Sequence, residues 1–227
     1  MAIETDRPQL TIDLLKIESR EFCTSMSSAR HGEIVGVTDG KAVGTYIEHA
    51  FKNAVKRKYL VEIGNSAQGI DFPELHINTD VKTTFIKQPQ SSCPFKDAAQ
   101  KIYGLGYNIL LFVYQKDDSK NNNLQFLHCR FIDKSRTADY QTTRGLRDII
   151  HRNGNTDDIK AFLTDRNLPV DEISLENIAK QILANPPKIG YLTISNALQW
   201  RLQYMRVISL SEEIEGISKV YDYPTRR

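Results

Sequence analysis

The stretch GIDFPELHINTDVKTT, residues 69–84, decides how the chain is built. From its seventh residue onward, apolar and polar side chains alternate as the two faces of a β-strand do, which predicts a strand over residues 75–86. On that strand Asp80 and Lys82 would lie on one face about 6.6 Å apart, while Val81 points to the opposite face. The stretch therefore predicts a strand that anchors one face in the core and presents two opposite charges on the other.

A second carboxylate precedes this strand. Asp71 lies nine positions before Asp80, and Pro73 allows the chain to return beside the strand in a hairpin-like manner. Two converging carboxylates bind a hard divalent cation such as Mg²⁺, and a nearby lysine can polarise water or stabilise charge on a phosphate oxygen. The alternative is that Asp80 and Lys82 form an ordinary surface ion pair.

Glu48 is a third candidate acid. The spacing of apolar residues predicts a helix over residues 43–60, and Glu48 lies on it before both aspartates in the chain. Glu48 could join a metal site, or it could form a capping box with Thr45 at the start of the helix. The residues alone leave both roles open.

The order of predicted elements indicates an α/β fold in which helices flank a central mixed β-sheet, with a helical C-terminal elaboration. We expect a buried strand over 107–116 with a hairpin partner over 124–134 and a short last strand over 205–210. The remaining predicted elements are helices, over residues 8–27, 95–106, 137–152, 156–166, 174–184 and 193–205. This order divides the chain into an N-terminal extension (1–42), a core (43–136) and a C-terminal region (137–227).

Composition excludes several classes of protein. With 40% hydrophobic and 26% charged residues, the chain is typical of a globular protein. The longest apolar run, ILLFVY, is far too short to span a membrane, and the first ten residues lack the pattern of a signal peptide. Three widely separated cysteines and the absence of a phosphate-binding loop predict a cytoplasmic protein without disulfides, membrane association or nucleotide triphosphate.

The arrangement resembles the PD-(D/E)xK nuclease superfamily, with Asp71 as the first aspartate, Asp80 as the second acid and Lys82 as the lysine. Residues 69–114 are further similar to type II restriction endonucleases, in which a metal-binding strand leads into a helix and then a buried strand. One departure is Ile70, which stands where the superfamily usually has the proline of its first half-motif.

The resemblance implies a Mg²⁺-dependent endonuclease that cuts double-stranded DNA at a short specific sequence. It implies that Asp71, Asp80 and the carbonyl of Val81 hold the metal, that Lys82 orients and helps deprotonate the attacking water, and that Glu48 completes the site. It also implies a homodimer with two-fold symmetry, because both strands of a symmetric site are cut. A partner DNA methyltransferase would protect the host's own sites.

Two segments are candidates for DNA contact. The expected loop over 87–96 offers amides, hydroxyls and a lysine that could bind phosphates or base edges: Gln88, Gln90, Ser91, Ser92 and Lys96. A helix-turn-helix over 174–207 would present further polar side chains on its second helix: Asn196, Gln199, Arg201 and Gln203. The alternatives are a plain connecting loop and a packing helix.

Two rival functions remain open from sequence. One is a structure-specific nuclease with the same core, such as a junction resolvase or a repair nuclease, although the long C-terminal region exceeds what a minimal resolvase needs. The other is a non-catalytic DNA-binding regulator that uses the helix-turn-helix. That reading leaves Asp71, Asp80 and Lys82 without a role.

Overall fold

A computed structural model describes residues 7–64, 69–93, 96–195 and 200–224 of the chain. Its packing forms two compact units. The first contains the chain up to residue 89, residues 108–132 and the chain from 218 onward, and the second contains residues 90–107 and 133–217. The functional division at residues 42 and 136 stays a prediction.

The first unit is built on a four-stranded sheet. Its strands, in spatial order, are β1 (Thr79–Phe85), β3 (Asn108–Lys116), β4 (Leu124–Ile132) and β7 (Ile217–Asp222). β1 runs parallel to β3 and β4 runs antiparallel to it, so the sheet is mixed. The predicted α/β fold with a mixed sheet is confirmed, as are the buried strand β3 and its hairpin partner β4.

β1 begins later than the alternation predicts. The N–H groups of Ile77 and Asn78 both donate to the Glu74 carbonyl, and Asn78 has a φ of 39°. Residues 74–78 therefore form a turn, which the alternation of side chains did not reveal. The predicted strand over 75–86 is wrong at its beginning, but Asp80, Val81 and Lys82 lie on β1 as expected.

Two long helices, α1 (Ile12–Ser27) and α2 (Gly40–Lys58), pack on this sheet. Phenylalanines form the core between them, with Phe51 of α2 5.2 Å from Phe22 and 5.0 Å from Phe112 between ring centroids. α2 approaches β1 closely at Gly44, where an added Cβ would come within 2.5 Å of the Thr83 hydroxyl. This approach positions the middle of α2 against the strand that carries Asp80.

α2 begins earlier than predicted. Asp39 is its N-cap, and the Asp39 side chain accepts hydrogen bonds from the N–H groups of Lys41 and Ala42. Thr45 therefore lies inside the helix, and the predicted capping box with Glu48 is wrong. Glu48 is free of any capping role.

The second unit contains the helices α3 (Gln100–Tyr103), α4 (Tyr140–His151), α5 (Thr156–Asp165), α6 (Glu172–Ala184) and α7 (Met205–Ile208). α3 is shorter than the predicted helix and ends at Gly104, whose φ of 94° favours glycine. The helices predicted over 137–152, 156–166 and 174–184 correspond to α4, α5 and α6. A helical C-terminal region is therefore present.

A three-stranded sheet replaces the last predicted helix. It contains β2 (Gln90–Cys93), β6 (Trp200–Gln203) and β5 (Thr193–Ile194) in that spatial order. The predicted helix over 193–205, the helix-turn-helix that depends on it and the predicted strand over 205–210 are wrong. The reason is that β6 pairs with β2 and β5, which buries Trp200 and Leu202 on one side of the strand and leaves Arg201 and Gln203 exposed on the other.

Within the described ranges, none of the helices has the length and apolar character needed to cross a membrane. The three cysteines are buried, and none of them forms a disulfide.

Candidate active site

A short backbone pairing brings Asp71 to the edge of β1. Phe72 and Thr79 exchange both of their backbone hydrogen bonds, each 3.0 Å long, so the chain returns beside the strand as Pro73 predicted. Asp71 Oδ2 then accepts a hydrogen bond of 2.8 Å from the N–H of Val81. The carboxylate of Asp71 is thereby held at the backbone of Val81, the residue that follows Asp80 in β1.

Asp80 and Lys82 form an ion pair on β1. Lys82 Nζ lies 2.6 Å from Asp80 Oδ2, and the Asp80 side chain is only 6% exposed. The neighbouring Val81 is buried in the core of the first unit. The strand thus anchors one face and presents the charged pair on the other. Burial of this pair argues against an ordinary surface ion pair, because exposed pairs contribute little and need no such enclosure.

Lys52 is a site residue that the sequence reasoning missed. Its Nζ donates to Glu48 Oε1 at 2.6 Å and to Asp71 Oδ1 at 2.9 Å, and its side chain is 14% exposed. Glu48 therefore connects to Asp71 through an ammonium group. The signal was available in the sequence, because Lys52 lies four residues after Glu48 and the two share a helix face.

The pKa values of the two aspartates are shifted in opposite directions. Burial raises the pKa of Asp80 to about 6, with a further increase from Asp71 that the ammonium of Lys82 only partly offsets. Burial also favours the protonated form of Asp71, but hydrogen bonds from Lys52 and Val81 outweigh it and lower the pKa of Asp71. For Lys52, burial is outweighed by the carboxylates of Glu48 and Asp71, which raise the pKa of this lysine. Asp71 is therefore the charged anchor, and Asp80 gains most from an additional cation.

The donors present fit a hard divalent cation. Asp80 Oδ2 is buried and accepts no hydrogen bond of good geometry, although Lys82 lies beside it as a counter-charge. A buried carboxylate oxygen in this state is a suitable ligand for Mg²⁺. Across the described part of the chain, no group of three or more His, Cys, Asp or Glu side chains is arranged to hold a metal. A cation here would depend on the aspartate pair and on backbone or water oxygens.

Four of the candidate DNA-contact residues lie on one strand pair of the second unit. β2 and β6 are antiparallel, and their register places Ser92 opposite Arg201 and Gln90 opposite Gln203. Residues opposite each other in an antiparallel pair point to the same side, so all four lie on one face. Ser92, Arg201 and Gln203 are exposed and Gln90 is half-buried.

The other candidates are distributed differently. Ser91 lies on the opposite face of β2, where its hydroxyl hydrogen-bonds to Tyr204. Gln88 is exposed in the turn after β1, and Lys96 is exposed before α3. Asn196 and Gln199 lie outside the described residues. The expected loop over 87–96 is thus partly a strand.

Comparisons with known proteins identify the family of the chain. The family model described as "Type II restriction enzyme NspV" matches residues 9–219. The Type II restriction enzyme NspV of Nostoc sp. is 55% identical over 215 residues, which are 93% of this chain and 97% of that protein. No solved structure matches. These matches confirm the resemblance to type II restriction endonucleases and favour that reading over a structure-specific nuclease or a regulator.

Proposed function

The chain belongs to the NspV family of type II restriction enzymes. We propose that Asp71, Asp80 and Lys82 catalyse the hydrolysis of phosphodiester bonds in DNA. It is a sequence-specific DNA endonuclease. The observation that supports the site is the convergence of two carboxylates and a lysine at one edge of β1, with Asp80 buried and poorly satisfied. Of the candidate acids Glu48, Asp71 and Asp80, Asp80 is the one that shares a strand face with a lysine, Lys82.

The proposed metal is Mg²⁺, held by Asp71, Asp80 and the carbonyl of Val81. The N–H of Val81 points to Asp71, and the N–H and C=O of one strand residue point to the same edge, so this carbonyl also faces the aspartate. Bound there, Mg²⁺ would supply Lewis-acid activation of water and of the scissile phosphate. Asp71 is already ionised, and its two oxygens are oriented by Lys52 and Val81.

Lys82 has the role of orienting the attacking water and helping to remove its proton. Its ammonium group is placed against Asp80 and its side chain is about one-fifth exposed (21%), so substrate can approach it. No residue of the site needs to form a covalent intermediate, because activated water attacks the phosphorus directly. Glu48 completes the site as the partner of Lys52.

DNA recognition is proposed for the face of β2 and β6 that carries Gln90, Ser92, Arg201 and Gln203. In the major groove, glutamine pairs with adenine edges and arginine with guanine edges, and this sheet face presents both types of side chain. Substituting Arg201 or Gln203 by alanine should weaken binding to the cognate site more than binding to unrelated DNA. Gln88, Lys96, Asn196 and Gln199 complete the set of proposed DNA contacts, and Ser91 stays a candidate on the opposite face of β2, where it hydrogen-bonds to Tyr204.

The assembly and setting follow from the reaction. Cutting both strands of a symmetric site calls for two active sites, so we propose a homodimer with two-fold symmetry. A cognate DNA methyltransferase would protect host DNA, and a cytoplasmic location would give the enzyme access to it. Analytical ultracentrifugation with and without DNA tests the dimer.

The experiment that tests this function is incubation of the protein with plasmid DNA. With Mg²⁺ we expect a fixed set of fragments whose ends map to one short sequence, and with EDTA we expect intact plasmid. A protein that binds the plasmid but never cuts it would contradict the proposed catalysis. Cleavage that persists in EDTA would contradict the metal requirement alone.

A further inference from the structure

Lys52 lies between the carboxylates of Glu48 and Asp71. Its Nζ lies within hydrogen-bond distance of one oxygen from Glu48 and one from Asp71, and both contacts are short. An ammonium group between two carboxylates contacts the same oxygens that a divalent ion there would contact, and it supplies one positive charge where the ion would supply two. The Asp71 and Lys52 side chains are both largely buried, so water does little to screen this contact.

The other carboxylate of the site is in a different position. Asp80 faces Lys82, and Lys52 does not contact it. A divalent ion on Asp80 and the near side of Asp71 would add positive charge beside Asp80 Oδ2, which is buried and has Lys82 as an ion-pair partner but accepts no hydrogen bond of good geometry. A second divalent ion between Asp71 and Glu48 would have to displace Lys52 or bear its repulsion.

We propose that Lys52 takes the place of a second metal ion, so that each active site binds one divalent cation, on Asp71 and Asp80. Glu48 then serves to hold Lys52 and is not a metal ligand. Lys52 is a positioning residue, because it acts by fixing Asp71. This inference rests on the proposed metal requirement of the enzyme.

The test counts metal ions directly. Mn²⁺ bound per chain is measured by electron paramagnetic resonance, using protein in complex with a duplex that contains the site mapped on the plasmid. Every protein carries Lys82→Ala so that the duplex stays intact. We expect one Mn²⁺ per chain in this parent protein and in a version that also carries Glu48→Gln, with affinities that agree within about threefold because Glu48 is not a ligand.

Adding Lys52→Met should open the second position. We expect two Mn²⁺ per chain, or a single ion bound at least about tenfold more tightly, because a nearby positive charge has been removed. Lys56→Met is the matched control, since Lys56 is exposed on the same helix one turn further on. It removes the same charge and should leave both the stoichiometry and the affinity of the parent unchanged.

Several results would overturn the inference. Two Mn²⁺ per chain with Lys52 intact, a tenfold or greater loss of affinity with Glu48→Gln (about the effect of losing one metal ligand), or no change with Lys52→Met would each do so. If thermal melting shows that Lys52→Met does not fold, Lys52→Arg and Glu48→Gln decide, and both must keep one ion. Absence of Mn²⁺ from every protein would overturn the proposed metal requirement and this inference with it, whereas a duplex cut by the parent would overturn only the role given to Lys82.

Discussion

Helix α2 carries two clusters in which one lysine lies between two carboxylates, and the two clusters differ in their surroundings. In the first, Lys52 bridges Glu48 and Asp71. In the second, Lys58 bridges Glu18 and Glu21, at distances of 2.7 and 3.1 Å. We call them the Lys52 cluster (Glu48, Lys52, Asp71) and the Lys58 cluster (Glu18, Glu21, Lys58). The local chemistry is the same, but the accessibility is not.

The Lys58 cluster joins helices. Its lysine is 51% exposed, and its one buried acid, Glu18, also accepts a hydrogen bond of 2.8 Å from the Tyr59 hydroxyl. Each of its two carboxylates contacts Lys58, and the Lys58 and Glu21 side chains are largely solvated. It therefore fastens α1 to α2 and has no unsatisfied group to offer a ligand.

The Lys52 cluster lies beside a further buried carboxylate, Asp80, which Lys52 does not contact. Asp80 lies beside Asp71, raises the local density of negative charge and keeps an oxygen without a good hydrogen bond. Burying such charge destabilises the fold unless a further cation is supplied. The two clusters share a lysine–carboxylate bridge, and the proposed active site differs by the additional buried carboxylate of Asp80.

The largest expected contrast between the clusters is in catalysis. Asp80→Asn should lower the rate of plasmid cleavage by at least about a thousandfold, because it removes a proposed metal ligand while keeping the shape of the side chain. Glu18→Gln, in the Lys58 cluster, should leave the rate within about threefold of that of the unsubstituted enzyme, because Glu18 is not one of the proposed catalytic or metal-binding residues. Single-turnover rates on one supercoiled plasmid measure both. Equal losses of cleavage rate in the two variants would contradict a catalytic difference between Asp80 and the Lys58 cluster.

The next contrast is in stability. Glu18→Ala should lower the free energy of unfolding by about 2–4 kcal/mol, because it leaves the Tyr59 hydroxyl without its acceptor and breaks the contact with Lys58. Urea unfolding measured in EDTA gives the value. An unchanged midpoint would show that the Lys58 cluster does not hold the helices together.

Asp80→Asn should raise the free energy of unfolding, whereas Glu18→Ala lowers it. The folded state raises the pKa of Asp80 from 3.8 to about 6, so folding favours the protonated carboxyl and stability from this group is lost as pH rises toward 6. At pH 8 without metal, Asp80→Asn should therefore stabilise the protein by about 1–2 kcal/mol, and below pH 4 the gain should disappear. Urea unfolding in EDTA at pH 8 and at pH 4 tests the sign. A destabilised variant at pH 8 would contradict the buried excess of charge.

The smallest effect belongs to the exposed rim of the Lys58 cluster. Glu21 is largely exposed, so Glu21→Ala should change the free energy of unfolding by less than about 1 kcal/mol. The same urea series measures it. A loss of stability as large as that of Glu18→Ala would show that solvent exposure does not determine how much each ion pair contributes to the free energy of unfolding.

The sequence was informative where one residue pattern specified one structure. Alternation placed Asp80 and Lys82 together on β1, and the run of apolar residues after Tyr107 gave the buried strand β3. Both patterns are local and both faces of β3 are covered, so tertiary packing agreed with the local preference. The convergence of Asp71 with Asp80 followed from the proline turn between them.

The sequence was misleading where packing over long distances decides the structure. Residues 200–203 are polar at every second position and could belong to a helix or a strand, and pairing with β2, more than a hundred residues away, selects the strand. Lys52 was missed because its second partner, Asp71, is nineteen residues further along the chain. The N-cap at Asp39 was missed because a helix boundary depends on which oxygen reaches the free N–H groups.

The most direct test of the active site is the cleavage and binding of one DNA duplex by Lys82→Ala. This account predicts a cleavage rate at least about a hundredfold below that of the unsubstituted enzyme, because the group that orients and deprotonates water is lost. Binding of the same duplex should change little, and Lys58→Ala, which removes a lysine from the other cluster, should cut at the normal rate. A Lys82→Ala protein that cuts as fast as the unsubstituted enzyme would contradict the assignment of the site.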